Sequence, residues 1–487
     1  MPSLRRYFLI IGSLIFLFAL TGCGGGSGGG QSSNVASIEV TQGQIVRVGD
    51  SRELLFIARD SVGNIVSLSA NLVSWQVTSG QDKLQFVNGR ALGIAEGSAT
   101  VIASYNGISS LPATVSVSLT APANAKWTII VFLNSANDLD DFAPLNVNQM
   151  EAGLNSSDVN IVVQWKRIPS YATVQPWTGV RRYLITHDTD PNQVNSTLLE
   201  TLSPTLDMGD WHNLQTFIVW TMANYPADRY ALVIWNHGNG ILRSAKTAAI
   251  TRDVSYDVGT GNSIGVSQLD DALNIGQPLD MVVFDASLMQ MMEVAWQIRN
   301  QCNYMVGSEE SPPGAGYPYD AVMSGLSANP SMSPVEFGQI WVDQTINAYQ
   351  GKSAIAQSLI DTSMLQPIVT TMNSLADVLI AKRTQYLLPL TAAGDAPNYK
   401  NPRYKDLHNL VGRFASETGD TSITAAATLV QAAVQNAVIA EGHSADLNFS
   451  KGVAIYYPNG GSYSSQFELL SFSTAAPKWK QWIMTAP

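Results

Sequence analysis

Cysteine is almost missing from this chain: Cys23 and Cys302 are the only two in 487 residues. With Cys23 at the end of a leader, Cys302 has no partner for an intrachain disulfide, and stability must come from buried core. Charge is scarce as well. Asp, Glu, Lys and Arg make up 13% of the residues, and the basic ones are the minority, 27 against 38, for a net charge of −11. That balance argues against a nucleic-acid partner and against a polybasic grip on anionic lipid. No His-Glu-x-x-His, Cys-x-x-Cys or Asp-rich calcium loop occurs, so no metal site is legible. The N-terminal apolar run from Tyr7 to Leu20 falls short of the ~20 residues a membrane-spanning helix needs.

That run has another reading. Arg5 and Arg6 precede it and Leu20-Thr21-Gly22-Cys23 ends it, which resembles a bacterial lipobox. Residues 1–22 are then a lipoprotein signal peptide and Cys23 is the acylated first residue of the mature chain. This anchors the protein in the cell envelope, outside the cytoplasm. Residues 23–34, which include the run Gly24 to Gly30 (GGGSGGG), form a flexible tether.

From 35 to 119 the chain is rich in Val, Ile, Ser, Thr and Gly, with short alternating runs broken by turn signals such as Asn88-Gly89 and Glu96-Gly97. The pattern predicts an all-β sandwich. Its stretch Arg90 to Ser104 resembles bacterial Ig-like domains of the invasin/intimin class, which serve mostly as spacers or adhesive modules. Thr120 to Ala125 (TAPANA) reads as a linker.

Beyond it, strand and helix alternate. Trp127 to Leu133 and Val159 to Gln164 read as strands, and Leu139 to Leu154 and Trp211 to Tyr225 as helices, the last with Asp210 as N-cap. The run Tyr230 to Trp235 (YALVIW) predicts a buried parallel strand that delivers His237 at its carboxyl end, followed by Gly238, Asn239 and Gly240. Met281 to Phe284 repeats the design and ends in Asp285-Ala286-Ser287, before a helix from Met289 to Asn300 and a strand from Tyr304 to Gly307. The order predicts an α/β fold, a doubly wound parallel sheet spanning 126–330. Residues 331–487 read as a helical subdomain around one late strand, Val453 to Tyr457.

His237 and Ser287 stand 50 positions apart, the interval between His and Cys in caspase-type sites. WTIIVFLNSANDLDD (Trp127 to Asp141), DMGD (Asp207 to Asp210), NYPADRYALVIWNHGNG (Asn224 to Gly240), FDASLMQMMEVAWQ (Phe284 to Gln297), GSEESPPGAGYPYD (Gly307 to Asp320) and GVAIYYP (Gly452 to Pro458) complete the pattern. Together they resemble the clostripain family of cysteine peptidases, relatives of the caspases and gingipains. The resemblance implies a caspase-like sheet with His237 as general base and acid. It also implies Asp285 as the acid that receives an Arg or Lys side chain, and the Gly238 N–H beside His237 offers a donor for an oxyanion. Glu309, with Glu310 and Asp320, would add negative charge at the same rim.

Ser287 stands where the family has its nucleophilic cysteine, and a hydroxyl needs stronger help from a base than a thiol does. The resemblance implies a dyad without a firmly fixed group to orient the imidazole. A helix N-cap is the competing role for Ser287. The partner implied is a polypeptide with basic side chains. No cofactor is indicated, although the resemblance admits calcium. Self-cleavage near Arg243, Lys246 or Arg252 is a further implication. The sequence leaves three alternatives open: a peptidase, a pseudo-peptidase that binds basic peptides, and a surface adhesion protein.

Overall fold

A computed structural model describes residues 35–487 except 64, 67, 174–176, 243–252 and 460–462. The leader, the tether with Cys23, and Arg243, Lys246 and Arg252 lie outside the described residues.

Nine strands form the main sheet: β1 (Ala125–Asn134), β2 (Val159–Arg167), β3 (Gly179–Leu184), β4 (Thr197–Leu202), β5 (Ala227–Trp235), β6 (Leu279–Asp285), β7 (Cys302–Ser308), β8 (Ala356–Asp361) and β9 (Val438–His443). Their spatial order is β4-β3-β2-β1-β5-β6-β7-β8-β9. The inner five pair in parallel and the outer pairs are antiparallel. The fold is therefore mixed α/β with a mostly parallel sheet, as the alternation of elements predicts.

The apolar runs explain the placement. β1 is buried along nearly its whole length, as a strand covered on both faces must be. Ile130 and Phe132 pack with Leu214, Phe217 and Ile218 of the helix Trp211–Asn224 on one face. Ile129 and Val131 pack with Val147 and Met150 of the helix Phe142–Gly153 on the other. Asp210 caps the former helix, its carboxylate accepting from the His212 N–H at 3.0 Å.

Residues after 330 are largely helical, as expected, but hold more strand than the one expected. They supply β8 and β9 to the main sheet, while the late strand, Ala454–Tyr456, pairs with Tyr404–Asp406 in a separate ribbon. Both missed strands are short and of mixed polarity, and β9 comes directly after the helix Thr421–Ala437, so neither announces itself by periodicity.

The N-terminal β region has its own core around Val46, Leu84, Val101 and Val115. Asn88 and Gly89 sit at φ 51° and 77°, the left-handed pair that a two-residue hairpin between Val87 and Arg90 requires. Glu96-Gly97 makes no such hairpin, because the strands on either side of it pair elsewhere. This region docks on the α/β body. Arg52, 3% exposed, donates to the Met222 and Ala223 carbonyls at 2.8 Å, covering the C-terminal end of the helix Trp211–Asn224.

Candidate active site

The chain leaves β1 outward to β2 and returns on the other side as β5, so the strand order reverses between these two parallel strands. Open α/β sheets bind ligands outside the carboxyl ends at such a switch point. Three loops leave that edge: Ser135 to Asp141 after β1, Asn236 to Gly240 after β5, and Ala286 to Met291 after β6. A cleft of about 270 Å³ opens there, lined by Leu139, Trp235, Asn236, His237, Asp285, Ala286, Ser287, Ser311, Pro312, Pro313, Gly314 and Gly316. The structure thus brings together His237, Ser287 and Asp285.

His237 is held from both sides. Its backbone N–H donates to the Asn236 side chain at 2.6 Å, and its Nε2 lies 2.7 Å from Oδ1 of Asp138. Asn236 is buried, bonded through its amide to the Asn134 and Tyr256 carbonyls and accepting from the Tyr256 N–H at 3.0 Å. Asp138 is the residue that sequence reasoning missed. Part of its signal lies in the sequence: it follows a buried strand and adjoins an asparagine, as His237 does.

Ser287 is half-buried, its Oγ 2.9 Å from Oγ of Ser311. It does not cap the next helix, which spans Met292–Ile298 with Met291 at the N-cap. Instead the chain turns sharply at Leu288. This residue adopts φ 63°, costly for a side chain branched at Cγ, and its N–H donates to the Glu310 carbonyl at 3.2 Å. A Cβ at Gly238 would strike the Ser287 carbonyl oxygen and come within 3.1 Å of Ala286 Cβ. Glycine there lets the loops of His237 and Ser287 meet backbone to backbone.

Asp285 ends β6 directly opposite Trp235. It is 5% exposed, and burial pushes its carboxyl up to about 6, partly offset by the Tyr319 hydroxyl at 2.8 Å and the Tyr317 N–H at 3.2 Å. Both donors use Oδ2. Oδ1 has no protein donor among the described residues, so one oxygen is left for a ligand.

Glu309 is not with them. It is 1% exposed and takes hydrogen bonds from the Tyr399 hydroxyl at 2.8 Å and the Gly452 N–H at 3.2 Å, sealed under the C-terminal segment. Glu310 is likewise committed to the N–H groups of Ser311 and Lys400, and Asp320 is exposed in the first turn of the helix Tyr319–Ala328. None of the three lines the cleft, so the expected acidic rim reduces to Asp285. Cys302 sits at the amino end of β7, its thiol pushed up by burial, the inert setting of a packing residue. No three His, Cys, Asp or Glu side chains gather suitably for an ion among the described residues.

Comparison with known proteins bears on family and fold. The profile of the Clostripain family matches residues 131–484. Clostripain of Hathewaya histolytica is 27% identical over 226 residues, which is 42% of this chain and 43% of that protein. The chain therefore spans less than half of the curated relative it matches. A secreted C11 cysteine protease of Bacteroides thetaiotaomicron, solved with an irreversible peptide inhibitor, superposes with TM-score 0.57 at 21% identity, covering 73% of this chain and all of that one. An inactive zymogen C11 protease of Parabacteroides distasonis gives 0.54 at 18% identity, over 73% and 99%. At these identities the superpositions establish the fold.

Proposed function

We infer the function from one premise: this chain belongs to the clostripain family. We propose that it is an endopeptidase that cuts after Arg or Lys, with Ser287 as nucleophile in the place of the family's cysteine. The observation that carries the reading is the single cleft onto which His237, Ser287 and the buried carboxyl of Asp285 all open. In the reaction the Ser287 hydroxyl gives its proton to His237 as its oxygen bonds to the scissile carbonyl carbon. The carbonyl π electrons move onto oxygen, which the Gly238 N–H receives. The imidazolium then passes the proton to the leaving amine nitrogen as the C–N bond breaks, and water releases the acyl group by the same steps in reverse roles.

The test is hydrolysis of fluorogenic Arg- and Lys-ended peptides by wild type, Ser287→Ala, Ser287→Cys and His237→Ala. Activity in wild type and its loss in Ser287→Ala and His237→Ala support the reading; equal turnover by Ser287→Ala sinks it. A second reading, a cleft that binds basic peptides without cutting them, draws on the Ser287 hydroxyl being engaged by Ser311 at 2.9 Å. It expects no turnover from wild type and recovery in Ser287→Cys.

We further read residues 1–22 as a signal peptide and Cys23 as a lipid anchor, supported by the Leu20-Thr21-Gly22-Cys23 sequence. Cys23→Ala is expected to move the protein from the membrane to the soluble fraction; detergent-requiring attachment in the variant would refute this. The β region fits an Ig-like spacer. Its separate core around Val46, Leu84, Val101 and Val115 supports that reading.

A further inference from the structure

We propose that Asp138 is a positioning residue that completes an Asp138–His237–Ser287 triad, resting on the peptidase reading above. Asp138 Oδ1 lies 2.7 Å from His237 Nε2. An ionised carboxylate only accepts, so Nε2 carries the proton and Nδ1 is left as the basic nitrogen of the neutral ring. The tautomer is thereby assigned by the partner.

The fold makes this contact a built feature. Asp138 leaves β1 and His237 leaves β5, the adjacent strands on either side of the switch point. Asp138 itself is half exposed at 52%, but the residues carrying it are not. Asn134 and Asn137 are buried, and Asn137 donates to the Asn134 and Tyr256 carbonyls and accepts from the Leu139 N–H at 2.9 Å. Ser135 donates to Asp140 at 2.7 Å, and Asp140 is paired with the buried Arg167. The segment is clamped at both ends while one carboxylate projects to the imidazole, the arrangement that holds a catalytic ring in one orientation. A thiol forms some thiolate unaided, whereas serine surrenders its proton only within the transition state and relies on an imidazolium held in place. The acid is what a serine at position 287 requires.

Two measurements on the full chain decide the matter. In the first, the ¹⁵N shifts of the His237 ring, identified by loss in His237→Ala, are compared in wild type and Asp138→Asn. The wild type is expected to hold the Nε2–H tautomer and the variant to lose that preference; an unchanged tautomer overturns the proposal whether or not the protein cuts peptides. In the second, Asp138→Asn is expected to lower kcat roughly 10²-fold with KM little changed, less than the ~10⁴-fold seen where such an acid is buried. The same change in Ser287→Cys protein is expected to cost under tenfold. Equal losses in the serine and cysteine proteins, or none in the serine protein, overturn it too. If no peptide is cut by either nucleophile, the peptidase reading has failed and the ring tautomer alone judges the contact.

Discussion

Asp285 and Glu309 leave neighbouring strands, β6 and β7, at the same edge of the sheet, and both are almost fully buried. Their partners separate them. Asp285 is served by two donors that converge on one oxygen, and it lines the cleft beside His237 and Ser287. Glu309 is closed over by a remote part of the chain. Besides Tyr399 and Gly452 it is hydrogen-bonded to Asp406, itself 1% exposed and fixed by the Asn409 and Lys451 N–H groups at 2.6 and 2.7 Å. Burial raises both members of that pair, and repulsion from Asp406 raises Glu309 further, so the two are expected to share a proton. One carboxyl is set to receive a cation; the other is a hinge pin between the sheet and the C-terminal part. What covers a strand-end acid, more than where it leaves the strand, decides its role.

The contrast breaks most visibly in ligand binding. On Ser287→Ala protein, which has no hydroxyl to turn a peptide over, calorimetry with an Arg-ended peptide is expected to lose about 10- to 100-fold in affinity on Asp285→Asn. This expectation rests on the ~1.5–3 kcal/mol of a hydrogen bond to a charged group. The pH dependence has a definite sign. Asp285 is raised from its ordinary value to about 6. In that window the empty folded chain holds a proton that the unfolded chain has released, and raising the pH removes stability. A guanidinium favours the ionised form, so affinity should rise as pH passes upward through about 6 and stay flat in the variant. Equal binding by both, at every pH, would make the carboxylate purely structural.

A smaller effect, and on a different observable, is expected at the other acid. Glu309→Ala leaves the buried Gly452 N–H without its acceptor, a loss of ~1–3 kcal/mol, and leaves the Tyr399 hydroxyl with Ser450 Oγ alone. Thermal unfolding should fall by several degrees while affinity for the Arg-ended peptide stays unchanged. Loss of that affinity in a protein that unfolds normally would erase the distinction between the two acids.

The two acids also mark what the sequence makes legible. His237, Ser287 and Asp285 stand at the ends of unbroken apolar runs, and a buried parallel strand delivers its next residues to one edge. The family motifs mark the same residues. Asp138 obeys the same rule after β1, but its contact with His237 depends on which strands are neighbours, a fact of topology that local periodicity does not carry. Glu309 was misplaced for the converse reason. It lies within the motif that also lines the cleft, and the groups that seal it come from Tyr399, Asp406 and Gly452, some 90 to 143 residues away. β8 and β9 were hidden because six-residue strands of mixed polarity look like loop or helix end. Local runs are legible; long-range closure is not.

The finest division of the comparison is Glu309→Gln. An amide keeps an oxygen for Tyr399 and places permanent N–H donors where the carboxyl pair had one shared proton. The Gly452 N–H, 3.2 Å from Oε2, is then set against a donor. At pH 5 the wild type already holds its proton, so the variant gains nothing and bears the strained contact; wild type should melt higher. As pH rises above the ordinary carboxylate range, the folded wild type retains a proton that the unfolded chain gives up, so its stability declines. The variant has no proton to defend at position 309 and should decline less. The difference in Tm should therefore shrink steadily from pH 5 to pH 9, by scanning calorimetry at fixed ionic strength. Parallel curves would mean that Glu309 and Asp406 do not share a proton, and the sealed acid would be no different in kind from Asp285.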